Sequence, residues 1–520
     1  MLYCYTFQPT GRIMIADLIL FCLVLTILFV IGVSLFQPRK GKIPGPPFLY
    51  GLRTVLASLR KNNLHVIAET WAKQYGDLVE VDAGLNKIVF INDPELVRRL
   101  FCDLEWRDIT NDRPPTFMGE YICGNYMDIL TANFSPGLTK RRKLFHNALK
   151  FYGEGVHTFE SLMQKTTGEL VGRIKQHEGN VPLFQEIVNY ICFVVGVILK
   201  GENTTDADLD IIRDMNTNIN KCFRFENETL MRYFPFLRFV PGLRIKKSVD
   251  DLMFSAKKTE ENFFWKIRES SNRSDGKDSN DGGGIVACLL EMQKKMREEN
   301  LPDAPSDAVV VNLIIDVLGG AYLSTASSLT SLFLNLIKNQ KIQDRIHEEI
   351  EDVIGDEVPS FEHRRLMPYT EAAILESFRI SSVSPFSVPH FANNDFTVDG
   401  RTVKKGSVLL QNTWYFHHSE DLWPDPWTLK PERFLDESGQ LLDSNHPVRR
   451  NLIVFGTGRR ICPGESLARS RVFLILVTLL QKYRFLPPSG VELPSSSPIN
   501  WTPDIVFFSD PYMCKVEAKS

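Results

Sequence analysis

Cys-x-x-Cys pairs are absent from this chain, although nine cysteines are spread over its 520 residues. Without them there is no zinc site of the usual spacing, and so few thiols over such a length make no disulfide framework. Most of the cysteines read as small buried hydrophobes in a reducing compartment. Excess charge of one sign is lacking too. The formal net charge is −3, which excludes nucleic-acid binding through overall basicity. No internal repeat occurs, so solenoids and propellers are set aside. With 43% hydrophobic and 24% charged residues, the composition is that of a globular protein.

What is present begins at the N-terminus. The stretch Ile13–Phe36, "IMIADLILFCLVLTILFVIGVSLF", carries a single charge, Asp17. At about 1.5 Å of rise per residue it is long enough to cross a hydrocarbon core of roughly 30 Å. Arg39, Lys40 and Lys42 follow it and only Arg12 precedes it, which leaves the body of the chain in the cytosol. A cleaved signal peptide and a buried core helix are the competing possibilities, but the first has a shorter apolar region that ends in a small-residue cleavage site. The expected layout is a lumenal segment 1–12, a transmembrane anchor 13–36, a basic and proline-rich linker 37–47, and one catalytic domain, 48–520. The sequons at Asn133, Asn203, Asn227 and Asn272 then lie on the cytosolic side and stay unglycosylated.

The linker holds "IPGPP", Ile43–Pro47, a stiff extended segment expected to hold the body at a set distance. Asp77–Asn92 reads as a hairpin, with β-branched residues flanking "AGLN". From Pro94 to Arg268 the pattern is helical, interrupted by "RYFPFLRFVPGL", Arg232–Leu243, which is either a buried loop or a membrane-dipping or substrate-access loop. Glu269–Gly284 is polar and glycine-rich and reads as a flexible loop. The apolar run after Asp307 predicts one long helix through the centre of the globule. Asp316 and a series of Ser and Thr residues argue against a second membrane span there. Beyond Thr397 the pattern predicts short strands alternating with turns.

Near the end stands "FGTGRRICPG", Phe455–Gly464, which sets Cys462 among three glycines and two arginines. A thiolate is a soft, strongly donating ligand, and haem iron is one of the few partners that uses it singly. Gly456, Gly458 and Gly464 let backbone pass close to a flat macrocycle, and Arg460 is placed to reach a propionate. A structural cysteine in a glycine-rich turn is the plainer alternative. It is disfavoured by a ten-residue match to Phe-x-x-Gly-x-Arg-x-Cys-x-Gly, whose ends are Phe455 and Gly464.

This signature resembles that of the cytochrome P-450 superfamily, and further motifs follow in the matching order. "ESFR" supplies Glu376 and Arg379 at a spacing that places them on one helical face. The resemblance implies that Arg433, in "PERF", joins them in a buried structural cluster that fixes the cysteine loop. It also implies that Arg142, in "KRRK", pairs with one haem propionate and His390, in "VPHFANND", contacts the other. Leu138 replaces the tryptophan usually found before that arginine. The implied fold is mainly α with a small β region, preceded by one transmembrane helix. The implied reaction is haem b-dependent monooxygenation of a lipophilic substrate by O2 at the endoplasmic reticulum membrane. Electrons come from NADPH through a P-450 reductase, with cytochrome b5 as an optional second donor.

The chain departs from the family midway along the central helix. Where most members carry an acid and a threonine, "GGAYLS" places Leu323 and Ser324. Activating dioxygen consumes two protons, and leucine relays none, so Ser324 is the candidate catalytic hydroxyl. Three possibilities stay open: a monooxygenase with a modified relay, a haem-thiolate isomerase acting on a peroxide, and a haem protein that binds without turnover. The segment Met367–Gly406, with the pair Gly319 and Gly320, is similar to Spook-type (Halloween-group) arthropod enzymes. That similarity implies a sterol of ecdysteroid synthesis as substrate. Xenobiotics or fatty acids are the general microsomal alternative.

Overall fold

The computed structural model describes residues 41–519 except 62, 85–86, 155, 224–226, 229–230, 232–233 and 274–282. Segment 1–12, the expected anchor Ile13–Phe36, the basic start of the linker and most of the low-complexity stretch lie outside the described residues.

After α1 (Phe48–Lys61) and α2 (Leu64–Tyr75) come β1 (Leu78–Asp82) and β2 (Lys87–Ile91), paired antiparallel as the hairpin pattern predicts. The proline-rich segment does not stand off from the body. Ile43 is buried in a core cluster, and the Pro44 carbonyl accepts a hydrogen bond from the Glu80 N–H at 2.9 Å. Gly45 is required there, because a Cβ on it would lie 1.9 Å from the Glu80 carbonyl oxygen.

Helices then dominate: α3 (Pro94–Cys102), α4 (Arg107–Thr110), α5 (Pro136–Glu154) and α6 (Val156–Lys175). The Asp93 carboxylate caps α3 by accepting from the Leu96 N–H, and Pro94 fits the first turn. A short strand, β3 (Asn180–Val181), leads into α7 (Leu183–Lys200), which is apolar around most of its circumference and buried in the main core. Next come α8 (Asp206–Phe223), α9 (Arg244–Thr259), α10 (Lys266–Arg273) and α11 (Ile285–Glu298). Helix α10 runs through Arg273, so Glu269–Arg273, expected to open a loop, are helical instead. The central apolar run forms two helices, not one: α12 (Asp307–Ala321) and α13 (Leu323–Lys338). They part at Tyr322 (φ −86°, ψ −70°), two residues after Gly319–Gly320. The Ser324 hydroxyl donates back to the Gly320 carbonyl across the break.

Helices α14 (Gln340–Val353) and α15 (Pro368–Ser381) precede strands β4 (His390–Phe391), β5 (Phe396–Val398), β6 (Arg401–Val403) and β7 (Val408–Gln411). The larger sheet has the order β1-β2-β7-β4, with β2 and β7 parallel and the outer pairs antiparallel. Beyond β7 the expectation of strands and turns holds only in part. The chain forms α16 (Thr413–His418), α17 (Pro447–Asn451) and the 18-residue α18 (Glu465–Lys482) before β8 (Tyr483–Leu486) and β9 (Cys514–Ala518). Helix α18 runs through the main core with Arg471–Val477 all buried, so it lacks the polar face that announces a helix in sequence.

Candidate active site

The cysteine loop is a tight fold-back between α17 and α18. The Cys462 N–H donates to the Phe455 carbonyl at 2.8 Å, and Gly456 (φ 71°) and Gly458 (φ 64°) adopt left-handed backbone. Gly458 is also a close approach, since a Cβ there would meet the Phe101 carbonyl oxygen at 2.6 Å. Phe455 packs edge-on against Phe378 of α15 and lies under the Arg469 guanidinium, 5.0 Å from its carbon. Gly464 caps α18, and its N–H supports the Cys462 sulfur. Cys462 is solvent-reachable yet crowded by protein atoms, as in a cleft wall; this burial pushes its thiol pKa up, against the pull of Arg142 and Arg471.

Around the loop the structure gathers cations. Arg460 is buried; Nε donates to the Asn111 carbonyl at 2.8 Å and Nη2 to that of Ala132. Arg142, on α5, donates to the Ile461 carbonyl at 2.7 Å. His390 stacks on Phe101 with ring centres 3.8 Å apart, and its Nδ1 lies 2.9 Å from the Thr110 carbonyl oxygen. Arg113 joins them, bonded to the carbonyls of Leu130, Val388 and Pro389. None of the three arginines has an ion-pair partner among the described residues. The nearby acids are spent elsewhere: Asp128 accepts from Thr131, and Asp316 of α12 from the Ile129 N–H. Burial, then the repulsion of Arg142, brings the Arg460 pKa down to about 10. Burial and then the two other arginines hold Arg113 well below the usual guanidinium range, and burial and then Arg113 depress His390. Among the described residues the site is a concentration of positive charge with no carboxylate in an ion pair with it.

Behind it, Glu376 takes two bonds from Arg379 at 2.8 Å, one from Arg433 Nε at 3.1 Å and one from the Lys430 N–H. Arg379 Nη1 and Nη2 also hold the carbonyls of His417 and Pro426. This cluster ties α15 to the segment before the cysteine loop. Ser324 stands on the first turn of α13, its hydroxyl 2.9 Å from the Gly320 carbonyl, while Leu323 packs on the main core.

The family model for cytochrome P450 matches residues 43–516. The chain belongs to the cytochrome P450 family. Human cytochrome P450 1A2 is 26% identical over 489 residues, covering 91% of both chains. Human cytochrome P450 1A1 is 27% identical over 490 residues, covering 91% of this chain and 92% of that one. Zebrafish cytochrome P450 structures containing abiraterone and progesterone share the fold, at TM-scores of 0.70 and 0.72 and 23% identity. Each covers 88% of this chain, and the match spans 100% and 99% of theirs.

P450 enzymes are haem-dependent oxidoreductases that incorporate oxygen using electrons from a redox partner. The residues present fit haem. Uncompensated Arg113, Arg142 and Arg460 suit a planar group bearing two carboxylates, and Cys462 offers a soft donor beside them. Arg113 has no signal in the sequence, because "NDRPP" has no periodicity and reads as a turn. For Arg471 the only signal is one charge at the head of the apolar run "RVFLILVTLL".

Proposed function

We propose that this P450 is a membrane-anchored monooxygenase acting on a sterol of ecdysteroid synthesis, in which Cys462 would be the thiolate that holds the iron of haem b. Arg142, Arg460 and His390, joined by Arg113, hold the propionates. Electrons come from NADPH through a reductase, with cytochrome b5 as a second donor, and the catalytic domain faces the cytosol from the endoplasmic reticulum membrane. The observation that carries the reading is the cluster of arginines with no ion-paired carboxylate among the described residues, beside an open cysteine. When bound, haem supplies the iron at which dioxygen takes up electrons. The chain's own part is to hold the group, exclude bulk water and manage protons. Ser324 Oγ, next to Leu323, donates to the Gly320 carbonyl and is the hydroxyl that would exchange its proton with water.

Support for a sterol comes from the Spook-type resemblance of Met367–Gly406 and from the steroid progesterone seated in a zebrafish structure of the same fold. Support for a membrane comes from the loop after α8, where Phe234, Phe236 and Phe239 are 48%, 59% and 67% exposed. The test is mass spectrometry of products formed by holoenzyme, reductase and NADPH with sterols, fatty acids and xenobiotics. An oxidised sterol is expected; products only from the other two classes overturn the sterol assignment. In Cys462→Ser the thiolate-type Soret band of the reduced carbon monoxide complex should vanish, and its persistence overturns the ligand assignment.

The isomerase is the second reading, favoured by Leu323 in place of an acid. Conversion of an organic peroxide without NADPH consumption establishes it. A thiolate spectrum with neither activity points to a non-catalytic haem protein.

A further inference from the structure

Seven residues beyond Gly464, about 10 Å along the axis of α18, lies Arg471. It is 2% exposed, flanked by Val472 and Phe473, which are buried as deeply. Its Nη2 donates to Thr325 Oγ1 of α13 at 3.0 Å, which pins the guanidinium between the helix leaving the cysteine loop and the helix carrying Ser324. Nε and Nη1 are buried with no acceptor among the described residues. No carboxylate pairs with it among the described residues, whereas its neighbour Arg469 pairs with Glu465 at 3.0 Å. The ionisable groups it acts on are the Tyr190 phenol, itself bonded to Thr167, and the Cys462 sulfur.

A buried charge with one neutral partner is costly to keep. Burial brings even this guanidinium down to about 10, so it stays charged at neutral pH. The arginines on the other side of the loop are different. Arg113, Arg142 and Arg460 would have most of their charge offset once two carboxylates bind them. Arg471 has no such counterion and lies in a medium that screens poorly. Its field therefore persists at the sulfur in the loaded protein.

We propose that Arg471 is a positioning residue for the iron–sulfur couple: its uncompensated charge draws electron density from Cys462 and raises the reduction potential of iron bound there. The step is the one-electron reduction of ferric to ferrous iron by the redox partner. The centre gains one negative charge, which a fixed nearby cation favours. The proposal rests on Cys462 as axial ligand and deepens that reading.

The experiment is a spectroelectrochemical titration of full-length holoenzyme, comparing the parent with Arg471→Met, Arg471→Gln and Arg471→Lys. Replacing an unpaired buried charge by a side chain of similar length is compatible with folding. Both neutral variants should show a reduction equilibrium constant lower by about tenfold or more, which is about 59 mV per tenfold for one electron. Arg471→Lys should stay near the parent. Neutral variants that bind haem, keep the thiolate spectrum and titrate at the parent's potential overturn the proposal. Loss of haem from both of them, with retention in Arg471→Lys, makes Arg471 a scaffold residue and overturns it as well. Failure of the ligand assignment is distinguishable, because the parent itself would then lack the thiolate spectrum.

Discussion

The relay role proposed for Ser324 is the one most sensitive to a single group of atoms. Its hydroxyl hydrogen bond to Gly320 is local, so removing it in Ser324→Ala should leave the fold and haem content unchanged. The expected effect is on proton delivery. General acid–base groups contribute about 10²–10⁴-fold, and a path through water lowers this, so a loss of up to about 10²-fold in coupled turnover is expected. The measurement is NADPH consumed, hydrogen peroxide released and product formed, in the same reaction. Equal coupling in parent and variant removes Ser324 from the relay. Nothing in "GGAYLS" reveals that the helix breaks at Tyr322 beside this hydroxyl. Two glycines only permit such a break, and the surrounding helices decide it.

Elements depend on one another through Glu376. Its carboxylate is fully buried, and Arg379 and Arg433 reach it from different parts of the chain. Deleting it leaves two guanidiniums facing each other in a low-dielectric interior, at a cost of about 3–5 kcal/mol. Glu376→Ala should therefore shorten the half-life of the holoprotein at a fixed temperature and lower its haem content. A half-life equal to the parent's would show that backbone carbonyls alone satisfy the two arginines. Spacing in "ESFR" puts Glu376 and Arg379 on one helical face, but only packing decides that the face is buried. Helix α18 makes the opposite case: it is so thoroughly enclosed that its sequence has no amphipathic period to recognise.

Across the whole molecule, buried imidazoles set the response to acid. His65, His347 and His418 are held at about 4, chiefly because burial strips the charged ring of water. In the unfolded chain each returns to about 6.5. Above about pH 7 both states are neutral and stability is independent of these groups. Below 6.5 the unfolded chain binds protons that the folded chain does not, so stability falls as pH drops from 6.5 toward 4, by up to about 3 kcal/mol for each fully buried ring. Thermal inactivation measured from pH 8 to pH 4 should be flat at first and accelerate from about 6.5. Acceleration that begins only below 4.5, where carboxylates titrate, would assign acid sensitivity to carboxylates instead.

The chemistry of the centre was legible in the amino-acid sequence because it is short-range. A cysteine, its glycines and Arg460 lie within ten residues, and the left-handed turns at Gly456 and Gly458 follow from local backbone freedom. The hairpin Leu78–Ile91 was legible for the same reason. Which arginines lack a counterion was decided by tertiary structure alone. Arg113, Arg142, Arg460 and Arg471 come from four separate segments, and an arginine carries the same letter whether a carboxylate is 3 Å away or absent. Neutralisation is a property of three-dimensional neighbours, so the excess positive charge that fits a dicarboxylate, and the isolated charge behind the sulfur, exist only once the chain has folded.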